Sequence, residues 1–555
     1  ALLTNPETCG NHTIGADMTP WSRPTSPQAT SAQFTVTGCD GPEGPMTFNA
    51  ETPTSMVVGA HSDVTMDFAR PDGNQSIKNI KFELPKGLVG SADAAPTCLD
   101  DATHAQVGVC DPSSKVGEVT IAIGSSEDTY ELTGDVFNVV APADRPAKFV
   151  FAARVNVGPF DFGNVVVPVD VNIDPNEYFL WAQTGDMPQR FEGIPVRVSS
   201  MNMRLFATAA NGPFMSNPRS CNVLDVKAKV NFTSGSPANL TSQIGPFTGC
   251  GALNLNDNTI EVSNDFPAQS NNRVPEAPTA LRVKVAQGSQ PTQAGMKDLS
   301  LKLPGFRLNA PAANLLDSNP ALSTCSNAQL DAHACPAASR IGRAWLDTPL
   351  LPKNVTDPDS VMPGTHSLWG AIYLTTPGTT AGDRYRLAIQ MSGKTLITIR
   401  GVATVDENPQ SPTYGEMTTE FKNLPDIPFE AMEVELAGVK SGVQTLPLLL
   451  NPENADTGNT RSVTASADIT AWSGQSRTGG SAPTSNLDVL AGTAKPFAPT
   501  FSSSFSTHES GKHPNTEFNY TRNDGDQDIQ SVKMSLPAGF MGSAAAVPLC
   551  SLSDA

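Results

Sequence analysis

Ile80-Lys81-Phe82-Glu83-Leu84-Pro85 alternates apolar and polar side chains and then breaks at a proline, which Gly87 follows two residues later. Alternation with a period of two predicts a half-buried β-strand, and the Pro-x-Gly step predicts the turn that ends it. The pattern recurs at Leu299-Ser300-Leu301-Lys302-Leu303-Pro304 and at Val532-Lys533-Met534-Ser535-Leu536-Pro537. The copies lie 219 and 233 residues apart. That period is too long for a solenoid turn, so it predicts an array of whole repeated domains.

The composition predicts a turn-rich β protein. Of the 555 residues only 16% are charged, whereas glycine (44) and proline (47) are plentiful. Hydrophobic residues make up 39%, enough to bury a core, which argues against disorder. At this length the chain should hold about three to five domains. We predict an all-β fold of tandem antiparallel, Ig-like β-sandwich domains in an elongated array stapled by disulfides.

Charge and hydropathy exclude two classes of partner. The formal net charge of −19 disfavours nucleic acid, whose phosphates would be repelled. The sequence has no uninterrupted apolar run of the length a membrane-spanning helix needs, so we predict no membrane span. The chain opens at Ala1 on residues typical of a domain interior, without a basic and apolar leader. A removed leader and an internal piece of a longer chain both fit that opening.

The nine cysteines recur at matching separations, which predicts disulfides. Two short pairs and two long pairs are expected: Cys98 with Cys110, Cys325 with Cys335, Cys9 with Cys39, and Cys221 with Cys250. Both long pairs begin at Asn-Pro-x-x-Cys and end at Thr-Gly-Cys. In the next copy Ala455 and Ala491-Gly492-Thr493 replace both cysteines together, as expected of bonded partners. Zinc spacings and a cysteine–histidine pattern are lacking, so a disulfide framework and an oxidising, extracytoplasmic location are predicted.

Cys550 is the odd cysteine. Pro548-Leu549-Cys550 matches Pro96-Thr97-Cys98, so its partner is expected about ten residues further on. The sequence ends at Ala555, before that position. We therefore expect Cys550 to be unpaired in this sequence, as in a fragment of a longer polypeptide, with a reactive free thiol as the alternative.

The repeats divide into two kinds of β module. The first kind carries the Leu-Pro strand and the short disulfide, and the second carries long β-branched runs and ends at the long cysteine pair. We predict closing strands of a preceding module at 1–45, β-sandwich modules at 46–127, 128–265, 266–362 and 363–495, and the opening part of a further module at 496–555. Each incomplete end should be completed by other parts of the same polypeptide or by a neighbouring subunit.

Candidate ligand-binding residues are few. Asp524, Asp526 and Asp528 have the carboxylate density of a calcium loop, but the aligned Asp72-Gly73-Asn74 has lost most of that charge, so a plain turn is favoured. Glu416 and Glu420 could form a glycosidase pair, yet their Thr-rich surroundings favour solvated positions. No catalytic residues and no cofactor are predicted. Asn-x-Ser/Thr glycan acceptors occur at Asn11, Asn74, Asn231, Asn239, Asn354 and Asn519.

The combination of motifs resembles a group of large, secreted, multi-repeat proteins of actinobacteria and related Gram-positive bacteria, mostly without an assigned activity. The residues that carry the resemblance are Arg70-Pro71-Asp72-Gly73-Asn74-Gln75, Leu84-Pro85-Lys86-Gly87-Leu88, Gly158-Pro159-Phe160-Asp161-Phe162-Gly163, Asn217-Pro218-Arg219-Ser220-Cys221 and Cys335-Pro336-Ala337-Ala338-Ser339-Arg340-Ile341-Gly342. The resemblance implies a cell-envelope or extracellular structural role and brings no catalytic residues with it. The second repeat lacks the Arg-Pro-Asp-Gly turn, the Gly-Pro-Phe-Asp motif and one disulfide.

These observations predict an extracellular structural protein rather than an enzyme. The expected role is a subunit of a surface filament, sheath or cell-envelope fibre that assembles through contacts between β domains. The expected partners are further copies in a polymer or neighbouring segments of the same longer chain. The alternative is a cell-surface adhesin or glycan-binding protein that uses the domain array as a stalk.

Overall fold

The computed structural model divides the chain into two compact units. One comprises Ala1–Asn454 with Thr460–Leu490, and the other Ala455–Asn459 with Ala491–Ala555. The structure describes residues 5–6, 9–37, 46–71, 74–98, 105, 108–124, 129–191, 194–264, 273–288, 292–309, 312, 324–358, 364–379, 383, 385–411, 413–441, 444–454, 457–492, 496–523, 526–527, 529, 531–543 and 546.

Strands dominate the described residues. In chain order they are β1 (Gly10–Met18), β2 (Gln28–Val36), β3 (Thr47–Glu51), β4 (Val64–Ala69), β5 (Ile77–Glu83), β6 (Val89–Gly90), β7 (Lys115–Ile123), β8 (Tyr130–Val139), β9 (Ala147–Val157), β10 (Phe160–Ile173), β11 (Leu180–Thr184), β12 (Arg190–Phe191), β13 (Ile194–Pro195), β14 (Val198–Leu205), β15 (Thr208–Ala209), β16 (Gly212–Pro213), β17 (Met215–Ser216), β18 (Leu224–Phe232), β19 (Ala238–Ile244) and β20 (Thr259–Ser263). They continue as β21 (Pro278–Thr279), β22 (Leu281–Ala286), β23 (Met296–Leu303), β24 (Arg307–Leu308), β25 (Arg340–Asp347), β26 (Val355–Thr356), β27 (Thr365–His366), β28 (Leu368–Leu374), β29 (Tyr385–Gly393), β30 (Leu396–Val405), β31 (Met417–Phe421), β32 (Ala431–Leu436), β33 (Val439–Ser441), β34 (Gln444–Leu446), β35 (Leu449–Leu450), β36 (Arg461–Ala471), β37 (Ser476–Arg477), β38 (Thr484–Val489), β39 (Thr500–Phe505) and β40 (Thr516–Thr521).

Helical structure is confined to short turns in the described residues. The helix α1 spans Asn327–Asp331, and 3₁₀ turns occur at Ala92–Ala94, Pro112–Ser114, Cys250–Ala252, Ala337–Ser339 and Gly479–Ser481. Neighbouring strands within every sheet described here run antiparallel, for example β9 with β10 and β29 with β30. The predicted all-β, antiparallel fold is therefore confirmed.

Two large sheets repeat one strand order. The first runs β3-β4-β14-β7-β8-β9-β10-β11-β5-β18-β19. The second runs β20-β22-β32-β25-β28-β29-β30-β31-β23-β36, and β38 pairs with β36. The short strand β37 also pairs with β36 and has no counterpart in the first sheet. Counted along the chain, the other eleven strands of the second sheet take the same spatial positions as the eleven of the first. The structure thus holds two copies of one unit, called below the first repeat (residues 47–244) and the second repeat (residues 259–489).

Each large sheet folds over until its edge strands meet. In the first repeat the Ala50 amide of β3 donates a 2.9 Å hydrogen bond to the Ser242 hydroxyl of β19. In the second repeat the Val262 amide of β20 donates a 2.8 Å hydrogen bond to the Ser485 hydroxyl of β38. A serine thus bridges the seam at the same place in both copies and satisfies an amide that an open edge would expose.

The Leu-Pro strands lie deep in each sheet. β5 is held between β11 and β18, and β23 lies between β31 and β36. Their apolar positions face the core: Ile80 and Phe82 are no more than 1% exposed, while the intervening Lys81 is half-buried on the other face. The two cores join in one continuous apolar cluster across the repeats. Burial of these side chains supplies the main driving force for the fold.

An arginine closes the turn ahead of the Leu-Pro strand. Arg70 is 4% exposed, and its guanidinium donates to the carbonyls of Val198 (2.8 Å) and Asn74 (2.5 Å). In the second repeat Gln287 takes this position, and its side-chain amide donates to the Ala294 carbonyl at 2.7 Å. In the second repeat, which lacks the Arg-Pro-Asp-Gly motif, the neutral side chain of Gln287 thus donates to a backbone carbonyl as Arg70 does in the first.

The predicted division of each repeat into two modules needs correction. Strands from 46–127 and from 128–265 pair within one sheet, as β7 does with β8 and β5 with β11 and β18. The boundary at 127/128 therefore does not separate two sheets. The boundary at 265/266 also falls one strand late, because β20 pairs with β22 of the second repeat. Pairing between distant strands decides both points, and the local motifs carry no information about it.

The hairpins outside the two repeats are largely exposed. β1 pairs with β2, and nearly every residue of both is exposed. In the second compact unit β39 pairs with β40, and Phe501, Phe505 and Phe518 form an aromatic cluster. The third Leu-Pro copy, Val532–Pro537, forms no strand. A strand needs a hydrogen-bonded neighbour, and within the described residues of this unit only β39 and β40 pair.

Replacing Arg70 tests the turn clamp. Arg70→Met retains most of the apolar stem but removes the donors, so buried carbonyls lose their partners. We expect the free energy of unfolding to fall by about 2–4 kcal/mol, measured by denaturant titration. Arg190→Met, an exposed arginine in β12, is the control and should change stability by no more than about 0.5 kcal/mol. Equal effects of the two changes would contradict the clamp.

Candidate functional site

Disulfides staple the ends of strands in both repeats. Cys98 is bonded to Cys110 and Cys325 to Cys335, with Cα atoms 5.3 Å and 5.1 Å apart. Cys98 forms an isolated β-bridge with Val139 of β8, and Cys325 forms one with Thr375 just after β28. Each short loop is therefore attached to the corresponding strand of its sheet. Restricting a loop of this kind stabilises a fold by about 2–4 kcal/mol.

The long disulfide encloses a hairpin. Cys221 precedes β18 and Cys250 follows β19, and the two are bonded with their Cα atoms 6.0 Å apart. Cys9, just before β1, is also disulfide-bonded. Cys39 and Cys550 lie outside the described residues.

The proposed calcium loop is an arginine-closed turn where the structure describes it. Asp526 lies in it, while Asp524 and Asp528 are outside the described residues. The Asp526 amide donates to the Asn523 carbonyl at 3.0 Å, and Arg522 donates to the Asp526 carbonyl at 2.5 Å. This matches the clamp of Arg70 on Asn74. Within the described residues, no group of three or more histidine, cysteine or acidic side chains could hold a metal ion.

The other sequence candidates are spread apart. Glu420 lies in β31 and pairs with Lys422 at 2.9 Å, whereas Glu416 precedes the strand. Asn74 is 3% exposed, so its amide is not at the surface for glycan attachment. His61 Nδ1 lies 2.9 Å from the Ser216 hydroxyl, but in the described part of the chain no carboxylate hydrogen-bonds to that ring. The pair therefore lacks the third group of a catalytic triad.

A set of hydrogen bonds joins the two repeats at their junction. The β29–β30 hairpin of the second repeat contacts two loops of the first. Thr395 Oγ donates to Asn172 Oδ1 at 2.9 Å, and the Lys394 ammonium lies 3.4 Å from the Pro142 carbonyl. The Thr398 amide donates to the Pro175 carbonyl at 2.9 Å. Backbone and side-chain bonds together fix the orientation of one repeat on the other.

Tyr178 anchors this contact. The Asp174 carboxylate accepts amides of the β10–β11 loop, which positions the tyrosine at the loop's end with φ +63°. Its phenol donates to the Thr398 carbonyl at 2.7 Å. Burial raises the pKa of this phenol to about 12, against the opposing effect of nearby Arg400. The tyrosine thus acts as a half-buried, neutral anchor.

A buried carboxylate also lies in the junction. Asp426, in the loop between β31 and β32, is 5% exposed and reaches the first repeat, where it accepts the Arg219 amide at 3.3 Å. Burial raises the pKa of Asp426 to about 6, although the Arg219 charge and amide act to lower it. Burial also lowers the pKa of Arg219, with Asp426 opposing that effect.

Two glycines make room for Asp426. A Cβ on Gly87 would lie 2.3 Å from Oδ2, and a Cβ on Gly295 would lie 2.4 Å from Oδ1. Gly87 comes from the turn after the first Leu-Pro strand, with φ +86°. The turn that ends that strand is thus also part of the junction.

A cavity of mixed polar and apolar lining and an apolar contact flank the carboxylate. The cavity measures about 440 Å³ and is lined by His61, Asn217, Arg219, Asp426 and Glu430, among others. On the apolar side, residues of the second repeat reach the core of the first, where Leu350, Leu351 and Ile427 line an apolar cavity of about 80 Å³. The junction therefore combines a buried carboxylate with apolar contacts between the repeats.

Sequence reasoning missed the junction. One difference between the aligned copies could have indicated it: the second repeat has Asp426-Ile427-Pro428 where the first has Gly193-Ile194-Pro195. A charge present in one copy and lost in the other marks a position whose surroundings differ between copies. Only the packing of the two repeats shows what those surroundings are.

Comparisons with known proteins show no family. No family model matches the chain, and no curated protein matches it. Among solved structures, a type II cohesin dyad from the adaptor ScaA scaffoldin of Acetivibrio cellulolyticus is 8% identical, with a TM-score of 0.15 over 80% of this chain and 98% of its own. A putative membrane-anchored protein from Corynebacterium diphtheriae is 8% identical, with a TM-score of 0.17 over 88% and 98%. Similarities this weak carry no argument about fold or function.

The described residues include no helix that is long and apolar enough to cross a membrane. The longest described α-helix, α1, has five residues.

Gly295→Ala tests the close packing around Asp426. The added methyl would clash with Oδ1, and we expect the free energy of unfolding to fall by about 1–3 kcal/mol. In an Asp426→Ala background the same change should cost little, so a double-mutant cycle should show coupling. Gly251→Ala is the control, because a Cβ there meets nothing within 4 Å. An undiminished cost in the Asp426→Ala background would contradict the contact.

Protonation of Asp426 should stabilise the folded state. Its pKa rises from 3.8 to about 6 on folding, so the folded state binds its proton more tightly. The contribution of Asp426 to stability is then highest below pH about 4, falls as pH rises to about 6 and is level above that, a change of about 2–3 kcal/mol. Denaturant titrations over this range should show the slope in the wild type and its loss in Asp426→Asn.

Asp383→Asn provides the control for that experiment. The pKa of Asp383 is lowered by its hydrogen bond with Arg386, so its contribution has the opposite sign and is lost as pH falls. The slope assigned to Asp426 should persist in this variant. A slope unchanged in Asp426→Asn would contradict the assignment.

Proposed function

We propose that this protein is an extracellular structural repeat protein, a subunit of a surface filament, sheath or cell-envelope fibre. The observation that carries the proposal is the junction itself: two copies of one eleven-strand unit dock through different surfaces. The β29–β30 hairpin of the second repeat meets the β10–β11 loop of the first. A contact between unlike surfaces of like units can be repeated indefinitely, as a fibre requires.

The disulfides support the proposed extracellular location. Three disulfides join Cys98 to Cys110, Cys221 to Cys250 and Cys325 to Cys335. Bonds of this type form and persist in oxidising compartments, which include the cell surface. The acidic net charge of −19 suits a protein that must remain soluble at high local concentration.

The residues at the junction support a passive role. Asp426, Arg219 and Tyr178 are all engaged between the repeats and hold one copy on the next. We therefore propose that the protein acts by its stiffness and by its contacts, rather than as an enzyme and without a cofactor.

Electron microscopy of the purified full chain tests the proposal. We expect ordered polymers whose amount rises with protein concentration, and whose repeat distance matches the spacing of the two repeats. Treatment with a reductant should reduce their thermal stability, because the loop restraints set by the disulfides are lost. Particles that stay monomeric at every concentration and bind glycans on an array would instead identify an adhesin that uses the repeats as a stalk.

A further inference from the structure

The junction between the repeats uses one surface of each copy, so the opposite surface of each copy remains outside it. The second repeat contributes its β29–β30 hairpin, and the equivalent hairpin of the first repeat is β9–β10. The first repeat contributes its β10–β11 loop, and the equivalent loop of the second repeat is β30–β31. We call the region around the β9–β10 turn, with Tyr130 and Phe160, the hairpin end. We call the region around the β30–β31 loop, with Tyr385 and Tyr414, the loop end.

The two loops share one construction. In the first, the Asp174 amide donates to the Phe179 carbonyl and the Tyr178 amide to the Asp174 carbonyl, both at 2.9 Å. In the second, the Asp406 amide donates to the Glu416 carbonyl at 3.0 Å and the Gly415 amide to the Asp406 carbonyl at 2.8 Å.

The same backbone position is left-handed in both loops. The residues closing them, Tyr178 and Gly415, have φ of +63° and +81°. Tyr414, immediately before Gly415, supplies the second loop with a tyrosine. The closing hydrogen bonds of the loop that receives a hairpin in the first repeat therefore recur in the second, although the second loop is five residues longer.

The tyrosines of the two loops differ in exposure. Tyr178 is half-buried under the hairpin of the second repeat, whereas Tyr414 is 61% exposed. Tyr385 lies at the same end of the second repeat, because it pairs with Ala403 near the end of β30, and is 39% exposed. The loop end thus presents two aromatic side chains to solvent.

The hairpin end is also aromatic. Phe160, at the turn between β9 and β10, is 63% exposed, and Phe162 lies beside it with ring centres 6.2 Å apart. Tyr130, 43% exposed, belongs to the same end because its phenol donates to the Asn156 carbonyl of β9. Exposed aromatic residues of this kind are enriched at the centres of protein interfaces.

We infer that the hairpin end of one molecule docks on the loop end of a second copy of this chain, in the manner of the junction within each molecule. The inference rests on the proposed function and specifies the surfaces that form the polymer. Continuity with the junction identifies the occupant: the element that fits such a loop is the hairpin of another such repeat. A contact of this head-to-tail kind leaves one end of each type unpaired and so continues along the polymer.

Complementation between two blocked variants tests the inference. Phe160→Arg blocks the hairpin end and leaves the loop end intact, and Tyr414→Arg does the reverse. Each change places a hydrated charge in the contact, and we expect the association constant to fall roughly 30-fold or more. In sedimentation velocity each variant alone should therefore be monomeric where the wild type forms polymers. An equimolar mixture should form dimers and nothing larger, since only one productive pair of ends exists.

Controls separate this result from misfolding and from nonspecific adhesion. Both residues are exposed, so the thermal unfolding midpoint should match the wild type. Trp21→Arg changes the fully exposed tryptophan between β1 and β2, which belongs to neither named end, and should leave assembly intact.

Three outcomes would overturn the inference. If Phe160→Arg or Tyr414→Arg forms polymers like those of the wild type, the molecules assemble through other surfaces, and the proposed function still stands. Dimers of Tyr414→Arg alone would show that hairpin ends bind each other. A wild type that is monomeric at every concentration would remove both the inference and the proposed function.

Discussion

Closure of each sheet on itself is the constraint on which the rest of the structure depends. A sheet of eleven twisted strands curls, and its edge strands would otherwise expose rows of unpaired backbone groups. Here the first and last strands of the repeat meet, and Ser242 or Ser485 accepts an amide across the seam. The closing strands are farthest apart in the sequence, so the whole span of about two hundred residues must fold together. Subdivisions seen in the sequence therefore cannot be separate structural modules.

Closure also determines where a neighbouring repeat can bind. When the two edges are joined, the backbone groups at the sides of the sheet are satisfied, and what remains for contact are the turns at its ends. The junction is built from such turns: the β29–β30 hairpin, the β10–β11 loop and the turn at Gly87. The turn that ends the first Leu-Pro strand therefore has two roles, since it terminates β5 and admits Asp426. The junction requires glycine at position 87, because a Cβ there would collide with the Asp426 carboxylate.

Local sequence patterns predicted the parts of this structure that depend on near neighbours. Alternation at Ile80–Leu84 and Leu299–Leu303 gave the correct strands and buried faces, since period and burial are local properties. The strand order and the boundary before β20 could not be predicted from the sequence. β20 has no motif of its own, and its assignment to the second repeat depends on its pairing with β22. Val532–Pro537 has the same alternating pattern but forms no strand, and no partner strand is described for it. The pattern alone is therefore not sufficient for a strand. Asp426 was missed because its role depends on a surface contributed by the other repeat.

The second repeat shows how a disulfide can be lost without loss of the fold. In the first repeat Cys221 and Cys250 join the two ends of the β18–β19 hairpin. In the second, Asn454 precedes β36, is 6% exposed and donates to the Leu490 carbonyl just after β38 at 2.8 Å. A buried hydrogen bond thus connects the equivalent ends, and it contributes about 1 kcal/mol where the disulfide contributes about 2–4 kcal/mol. The β18–β19 pairing extends over seven residue pairs and the β36–β38 pairing over six, so each hairpin is also held by its own ladder of backbone hydrogen bonds.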